Sequence, residues 1–324
     1  PIYNEIIKFI ILIYGFLCGV SNITYKNVIF NIMTKAKYFS VLIAMLLLVG
    51  GSVVAGCNAT NTETSAEDAG ASHDSIAYDL RVAVLPTLEA LPIYYAKQAG
   101  ICDSLGIVID ILPYMAQFDC DTALLNNAVD VCMMDRTRFA DYTRKGHRLS
   151  AQLKISARYA LVVSKELGAK RVNDLNNRTI AISRHSGAEV FCLHALTQAG
   201  MKREDVHFPQ INDLWLRADM LTNRQVEAAV LPYLQAYWAV LNGHQILKED
   251  AVLPEASMQL VYPRNSKKVQ QITLLAKAYE LAKAEIENND LSICRDILIQ
   301  EYKLPAAQTD SIIKKLPYPC KEQK

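Results

Sequence analysis

The segment "SRHSGAE", Ser183 to Glu189, sets two serines, an arginine, a histidine and a glycine between an apolar β-type run and a helical one. A strand-to-helix turn of this kind offers free backbone N–H groups and the positive end of a helix dipole to an anion or a polar oxygen. Arg184, His185, Ser186 and Gly187 are therefore candidate ligand contacts, with Gly187 permitting close approach. The same residues have an internal use. Ser186 and Glu189 form the S-x-x-E of a capping box, which would satisfy those N–H groups within the helix, and Glu189 would oppose a bound anion. Both readings stand on the sequence.

Further candidates follow from position. Thr87, Leu88 and Glu89 lie after the first strand, Gln117 and Phe118 open the second helix, and Asp135, Arg136 and Thr137 follow the next strand, with Tyr233 as a counterpart in the second half. Phe118 or Tyr233 could stack on a ring or cover an alkyl chain, or could belong to the core. Arg136, Arg138, Arg158 and Arg184 concentrate near the same strand ends, which makes a carboxylate, sulfonate or phosphate on the ligand chemically reasonable. As surface residues they would instead pair with nearby carboxylates. No Ser/His/Asp order and no metal-ligand spacing is present, so no catalytic residue, metal or cofactor is expected; His185 is the only histidine on an expected cleft loop.

The elements that must position these residues repeat. "AKQAGI", Ala96 to Ile101, echoes "LTQAGM", Leu196 to Met201, each closing a helix at a glycine. "LRVAVLP", from Leu80, and "RTIAIS", from Arg178, open the two copies as strands. "LLNNAVDVCMMD" and "LTNRQVEAAVLP" share a Leu, Asn, Val, acid pattern before an apolar strand, and the offsets stay between 97 and 100. Strands alternating with amphipathic helices favour βαβ connections, so two similar α/β lobes are expected, each with a parallel-rich sheet. "LSAQLKIS" and "YALVVSK" lead out of the first lobe and "SMQLVYP" returns to it, making a hinge of two crossings. The helical tail from Lys267 should pack on the first lobe. Ligands bind outside the carboxyl ends of strands in such sheets, which here would face one cleft.

From about Leu80 to Pro263 the order of "LPIYYAKQAGI", "NNAVDVCMMD", "YALVVSK", "VNDLNNRTIAISRHSGAE", "ALTQAGMKREDVHF" and "VEAAVLPYLQAYW" resembles the two-lobed type II periplasmic binding proteins, within them the sulfonate, nitrate and thiamine-precursor group of ABC-transporter substrate-binding proteins. That resemblance implies capture of a small solute between the lobes, lobe closure and delivery to a membrane permease, by a protein expected to be a monomer. Asp135–Arg138 replace the small residues usual at that turn, and Leu231-Pro232-Tyr233 replaces an aromatic-acid-Pro run, so the family's ligands do not transfer directly. The same fold also hosts enzymes resembling chorismate dehydratases or pyrimidine-synthesising thiamine enzymes. Those are cytoplasmic, and the thiamine enzyme's cysteine-rich motif is absent. A surface sensor without transport is a third reading.

The N-terminal region bears on location. Lys35 and Lys37, the apolar run Phe39 to Val49, and "VAGC" ending at Cys57 follow the order of an export signal and resemble the lipobox of bacterial lipoproteins, in which the cysteine is acylated. Residues 1–32 precede Met33 and are expected to be over-called reading frame, the alternative being a genuine extra hydrophobic segment, Ile6 to Val20, interrupted by Lys8; residues 33–56 would be the signal, and 57–78 the lipidated cysteine with a polar tether spanning roughly 20–25 Å as a coil. Lobe I would then take residues 79–163, lobe II 164–256, and 257–324 the return strand with the C-terminal helices. The whole chain has 34 basic and 33 acidic residues; Lys8, Lys26, Lys35, Lys37 and Glu5 precede Cys57, leaving the rest slightly acidic and without the basic patch nucleic acid needs. Cys102, Cys120, Cys132, Cys192, Cys294 and Cys320 are scattered and read as small buried hydrophobes, with Cys294 and Cys320 a candidate disulfide in an exported protein.

Overall fold

A computed structural model of the protein describes residues 78–249 and 253–316, all within a compact unit, Asp74–Lys324. The proposed signal, Cys57 and Cys320 lie outside the described residues. Two sheets with helices packed around them form the unit, in the expected α/β architecture.

In the first sheet the strands β1 (Leu80–Val84), β2 (Ile109–Pro113), β3 (Val131–Asp135), β4 (Leu149–Ile155) and β9 (Met258–Pro263) lie in the order β2-β1-β3-β9-β4. In the second, β5 (Tyr159–Val163), β6 (Ile180–Ala181), β7 (Ala228–Pro232) and β8 (Gln245–Lys248) lie in the order β6-β7-β5-β8. Each sheet is parallel apart from one strand. β9 runs antiparallel to β3 and β4, and β5 antiparallel to β7 and β8. Helices cover the sheets, so strand residues are apolar on both sides: Leu80, Val82, Ala83 and Val84 are buried while Arg81 alone of β1 is exposed.

The internal repeat is carried through element by element. In the first half β1 leads to α1 (Leu91–Gln98) and α2 (Ile101–Ser104), β2 to α3 (Gln117–Leu125), and β3 to α4 (Arg136–Arg144). In the second, β6 leads to α5 (Gly187–Gln198), a bridged segment at His207 and Gln210 stands in for β2, α6 (Leu214–Thr222) follows, and β7 leads to α7 (Tyr233–Leu241). The two echoing glycines have the same role, since Gly100 (φ 71°) and Gly200 (φ 72°) take the left-handed conformation just past a helix end, where a side chain is strained.

Two expectations need correcting. Tyr159–Val163 pairs with β7 and β8, so the chain leaves the first lobe at residues 156–158, not after Val163; β-pairing assigns the strand to the second sheet, which its apolar sequence alone could not do. The tail does not stay on the first lobe either. α8 (Val269–Asn289) packs on α1 and α2, but α10 (Ala306–Lys315), reached through α9 (Arg295–Gln300), packs on α7, with Trp238 Nε1 donating to Gln308 Oε1 at 3.0 Å. The tail straps both lobes. Cys102, Cys120, Cys132, Cys192 and Cys294 are buried with free thiols, as small hydrophobes.

Candidate functional site

The two reversed strands bring four chain positions to one place. In the first sheet Asp135, the last residue of β3, is in register with Met258, the first of β9. In the second, Pro232, the last of β7, is in register with Tyr159, the first of β5. All four line one cavity, joined by Leu85, Thr87, Glu89 and Gln117 from the first lobe and Ser183, Ser186, Ala188, Asn212, Leu214 and Arg217 from the second. The repeat offset pairs them across the cleft: Thr87 with Ser186, Glu89 with Ala188, Gln117 with Leu214, Asp135 with Pro232. The cavity is about 40 Å³, room for roughly three waters. A larger solute enters only if the lobes part.

The first-lobe wall is acidic and held from behind. The loop after β1 is pinned through its carbonyls: Tyr302 Oη donates to Thr87 O at 2.7 Å, Tyr279 Oη to Glu89 O at 3.1 Å, and Gln235 Nε2, from the second lobe, to Pro86 O at 2.8 Å. With the backbone anchored, Thr87 and Glu89 side chains are left to the cavity. Glu89 Oε1 accepts from the Arg158 N–H at 3.2 Å, yet burial holds its carboxyl above the usual range. Asp135 is 2% exposed and caps α4 by accepting from the Arg138 N–H at 2.9 Å. Burial pushes its carboxyl up to about 7 against the opposing pull of that N–H, the Arg138 guanidinium and the Gly187 N–H of the other lobe. Gln117 Nε2 donates to Asp121 Oδ1 and the Met133 carbonyl, at 2.9 and 2.8 Å.

The second-lobe wall is a donor wall. Arg217 is 1% exposed, and its Nε and Nη1 find no hydrogen-bond partner among the described residues. Burial lowers its guanidinium to about 10, which still leaves it charged at neutral pH. Asn212 Oδ1 receives both Ser183 Oγ (3.3 Å) and Gln210 Nε2 (3.1 Å), so the Asn212 amide nitrogen is the part left to a ligand. Tyr159 stands between the walls. Burial, then Asp135 and Glu89, raise its phenol well above the ordinary range, so it remains a hydroxyl donor.

Of the residues expected from sequence, Thr87, Glu89, Gln117, Asp135 and Ser186 line the cavity. The others do not, for identifiable reasons. Leu88 points into the core. Phe118 is 54% exposed on the outer face of α3. Arg136 is exposed, and Thr137 Oγ1 donates to Glu255 O at 3.0 Å. Arg184 is exposed and its Nη2 donates to Phe208 O at 2.7 Å; His185 is exposed, with its N–H on Glu189 Oε2 at 2.6 Å. Tyr233 is one residue beyond the strand end and points into the core against Tyr237, with the Arg158 guanidinium over its ring at 5.8 Å. Arg138 is buried in an ion pair with Asp121. The capping box does not form: Ser186 Oγ donates to Ser183 O at 2.6 Å and makes no cap bond. Gly187 is needed for a different neighbour than a ligand, because a Cβ there would lie 3.0 Å from the Ala256 backbone, in the turn that precedes β9.

Sequence reasoning missed Tyr159, Met258, Asn212 and above all Arg217. A signal for Arg217 was present. Leu214, Arg217, Ala218 and Leu221 form the buried i, i+3, i+4, i+7 stripe of α6, so a charged residue sits where periodicity demands an apolar one; the repeat mate at that position is the buried Cys120.

Residues 88–283 match the family model described as NMT1/THI5 like. No curated protein matches the chain. Among solved structures, the alkanesulfonate-binding protein SsuA from Xanthomonas axonopodis pv. citri, bound to MOPS, is similar at 19% identity over 74% of this chain and 84% of that one, with a TM-score of 0.61. A zinc-bound ligand-binding component of an ABC-type import system from Staphylococcus aureus is similar at 13% identity over 72% and 83%, with a TM-score of 0.62. The periplasmic aliphatic sulphonate binding protein SsuA from Escherichia coli follows at 19% identity over 74% and 83%, with a TM-score of 0.56. At these identities the likeness is one of fold.

A buried guanidinium without a partner destabilises the protein that carries it. Arg217→Met, similar in length and apolar, is expected to raise the unfolding free energy by about 1–3 kcal/mol in urea titrations. A loss of stability of that size would mean that Arg217 holds the fold rather than waits for a ligand.

Proposed function

The chain belongs to the NMT1/THI5-like family, and on that premise we propose that it is the solute-binding component of an ABC importer, capturing a small organic solute between its lobes and passing it to a membrane permease. The observation that carries this reading is the unpaired, buried Arg217 facing a cavity built from the strand ends of both lobes. An enclosed site assembled half from each lobe suits a protein that closes on its cargo, and a guanidinium with two nitrogens lacking hydrogen-bond partners among the described residues suits an anionic group on it. The lining supports capture over catalysis. It contains no histidine, lysine or cysteine, and its one serine hydroxyl at the helix start, Ser186, is committed to a carbonyl. The architecture shared with the sulfonate-binding proteins is in keeping with the same role.

Cys57 is part of this proposal as the lipid anchor, with Asn58–Ser75 as the tether that lets the lobes reach a permease. No helix among the described residues is long and apolar enough to cross a membrane. Labelling with a fatty-acid analogue should mark the protein, and Cys57→Ser should remove both the label and membrane association; undiminished association in the mutant would place the anchor elsewhere.

Solute capture is tested by a thermal-shift panel of small organic anions run on the parent and on Arg217→Met. At 100 times its dissociation constant a true ligand stabilises the parent by about 2.7 kcal/mol. The expected result is a solute that stabilises the parent, fails on the mutant, and is recovered chemically unchanged after long incubation. Equal stabilisation of both proteins would move the site away from the cleft, and turnover of the solute would make the protein an enzyme.

A further inference from the structure

The two lobes repeat one another in backbone but not in charge, and the difference falls on the cavity wall. Glu89 and Asp135 of the first lobe correspond to Ala188 and Pro232 of the second, while Arg217 of the second corresponds to Cys120 of the first. Of two equivalent half-sites, one has acquired two carboxyls and the other a guanidinium. These groups do not neutralise one another. The first-lobe acids are engaged by groups of their own side: Asp135 by the Arg138 N–H and guanidinium, with the Gly187 N–H opposite and Asp121 nearby, and Glu89 by Thr87 and the Arg158 N–H. Apart from the neutral Tyr159 phenol, the side chain whose charge acts on Arg217 is Asp213, and the Arg217 Nε and Nη1 find no hydrogen-bond partner among the described residues. Tyr159 lines the same cavity and lies within the field of Asp135, Glu89 and Arg217 alike.

We infer that the solute is a small zwitterion, with its oxyanion on Arg217 and Asn212 of the second lobe and its ammonium between Glu89 and Asp135 of the first. The inference rests on the solute-capture reading and narrows it. A ligand of this kind closes the cleft by electrostatics, because each end satisfies the wall it meets and the two lobes are drawn onto opposite ends of one dipole. A plain anion would satisfy Arg217 but would set its tail against two carboxyls. A plain cation would leave Arg217 buried and unpaired. The small cavity favours a short spacer between the two charges.

Proton traffic separates the cases. In the free protein the Asp135 carboxyl, at about 7, is partly protonated at neutral pH. An arriving ammonium favours the carboxylate, so the proton leaves on binding. An arriving anion favours the neutral acid, so a proton is taken up.

The test is calorimetric titration at pH 7, in two buffers of different ionisation enthalpy, with 3-aminopropanesulfonate, propanesulfonate and propylamine. Binding of 3-aminopropanesulfonate at least tenfold tighter than either partner, with net proton release, is the expected result. Arg217→Met should abolish its binding. Glu89→Gln and Asp135→Asn, the latter keeping a side chain able to cap α4, should erase its advantage over propanesulfonate. Propanesulfonate binding as tightly as the amino compound, or with proton uptake, overturns the zwitterion and leaves solute capture intact. Silence from all three overturns it as well, while a hit from the wider anion panel on the parent alone would still support capture.

Discussion

One strand in each sheet runs against its neighbours, and the cleft depends on that reversal. β5 and β9 are the two segments by which the chain crosses between lobes, and each pairs antiparallel with the last strand of its βα run, β7 or β3. Antiparallel pairing sets the first residue of the incoming strand against the last residue of the outgoing one. Each crossing therefore delivers one more side chain, Tyr159 or Met258, to the same edge where the parallel strands already end at Pro232 and Asp135. Because the first crossing is short, with residues 156–158 separating β4 from β5, the two edges are held against each other. A cavity at the junction follows from topology before any side chain is chosen.

Further restraints close that cavity. The Ala116–Asp213 bridge, with the Leu214 N–H donating to Met115 O at 3.0 Å, joins the lobes by backbone on one side. On another, Gly187 lies so close to Ala256 that a Cβ there would sit 3.0 Å from its backbone and push it aside. The C-terminal tail adds a strap, since α8 packs on the first lobe and α10 on α7 of the second. If the lobes part, they must do so around these contacts, and the short crossing at residues 156–158 is the segment outside them. Into this closed space the sequence puts a guanidinium whose Nε and Nη1 find no hydrogen-bond partner among the described residues. A hydrophobic residue there would be more stable, so its presence is the strongest mark of function in the molecule.

Much of this was legible in the sequence because the chain was written twice. Landmarks keeping one offset gave the two lobes, and the rule that ligands bind at strand ends gave Thr87, Glu89, Gln117, Asp135 and Ser186. The misses share a physical cause. Position along a chain says which loop lies at the cleft but not which way a side chain points, so Leu88 and Tyr233, each one residue from a lining position, went to the core instead. Arginines near the strand ends looked like ligand groups, whereas Arg138 is buried against Asp121 and Arg184 bonds a backbone carbonyl. Tyr159 and Met258 were hidden because strand pairing, not local pattern, brings them in. Arg217 was hidden in plain view, on the otherwise apolar stripe of α6.

On this reading Arg217 is charged and buried, with its Nε and Nη1 lacking a hydrogen-bond partner among the described residues until a ligand arrives. Its side-chain Nε–H resonance, observed by NMR in the free protein and during titration with 3-aminopropanesulfonate, tests this most directly. An Nε–H that resonates upfield in the free protein and moves downfield as the ligand saturates is the expected result. A downfield Nε–H already present in the free protein and indifferent to the ligand would contradict it.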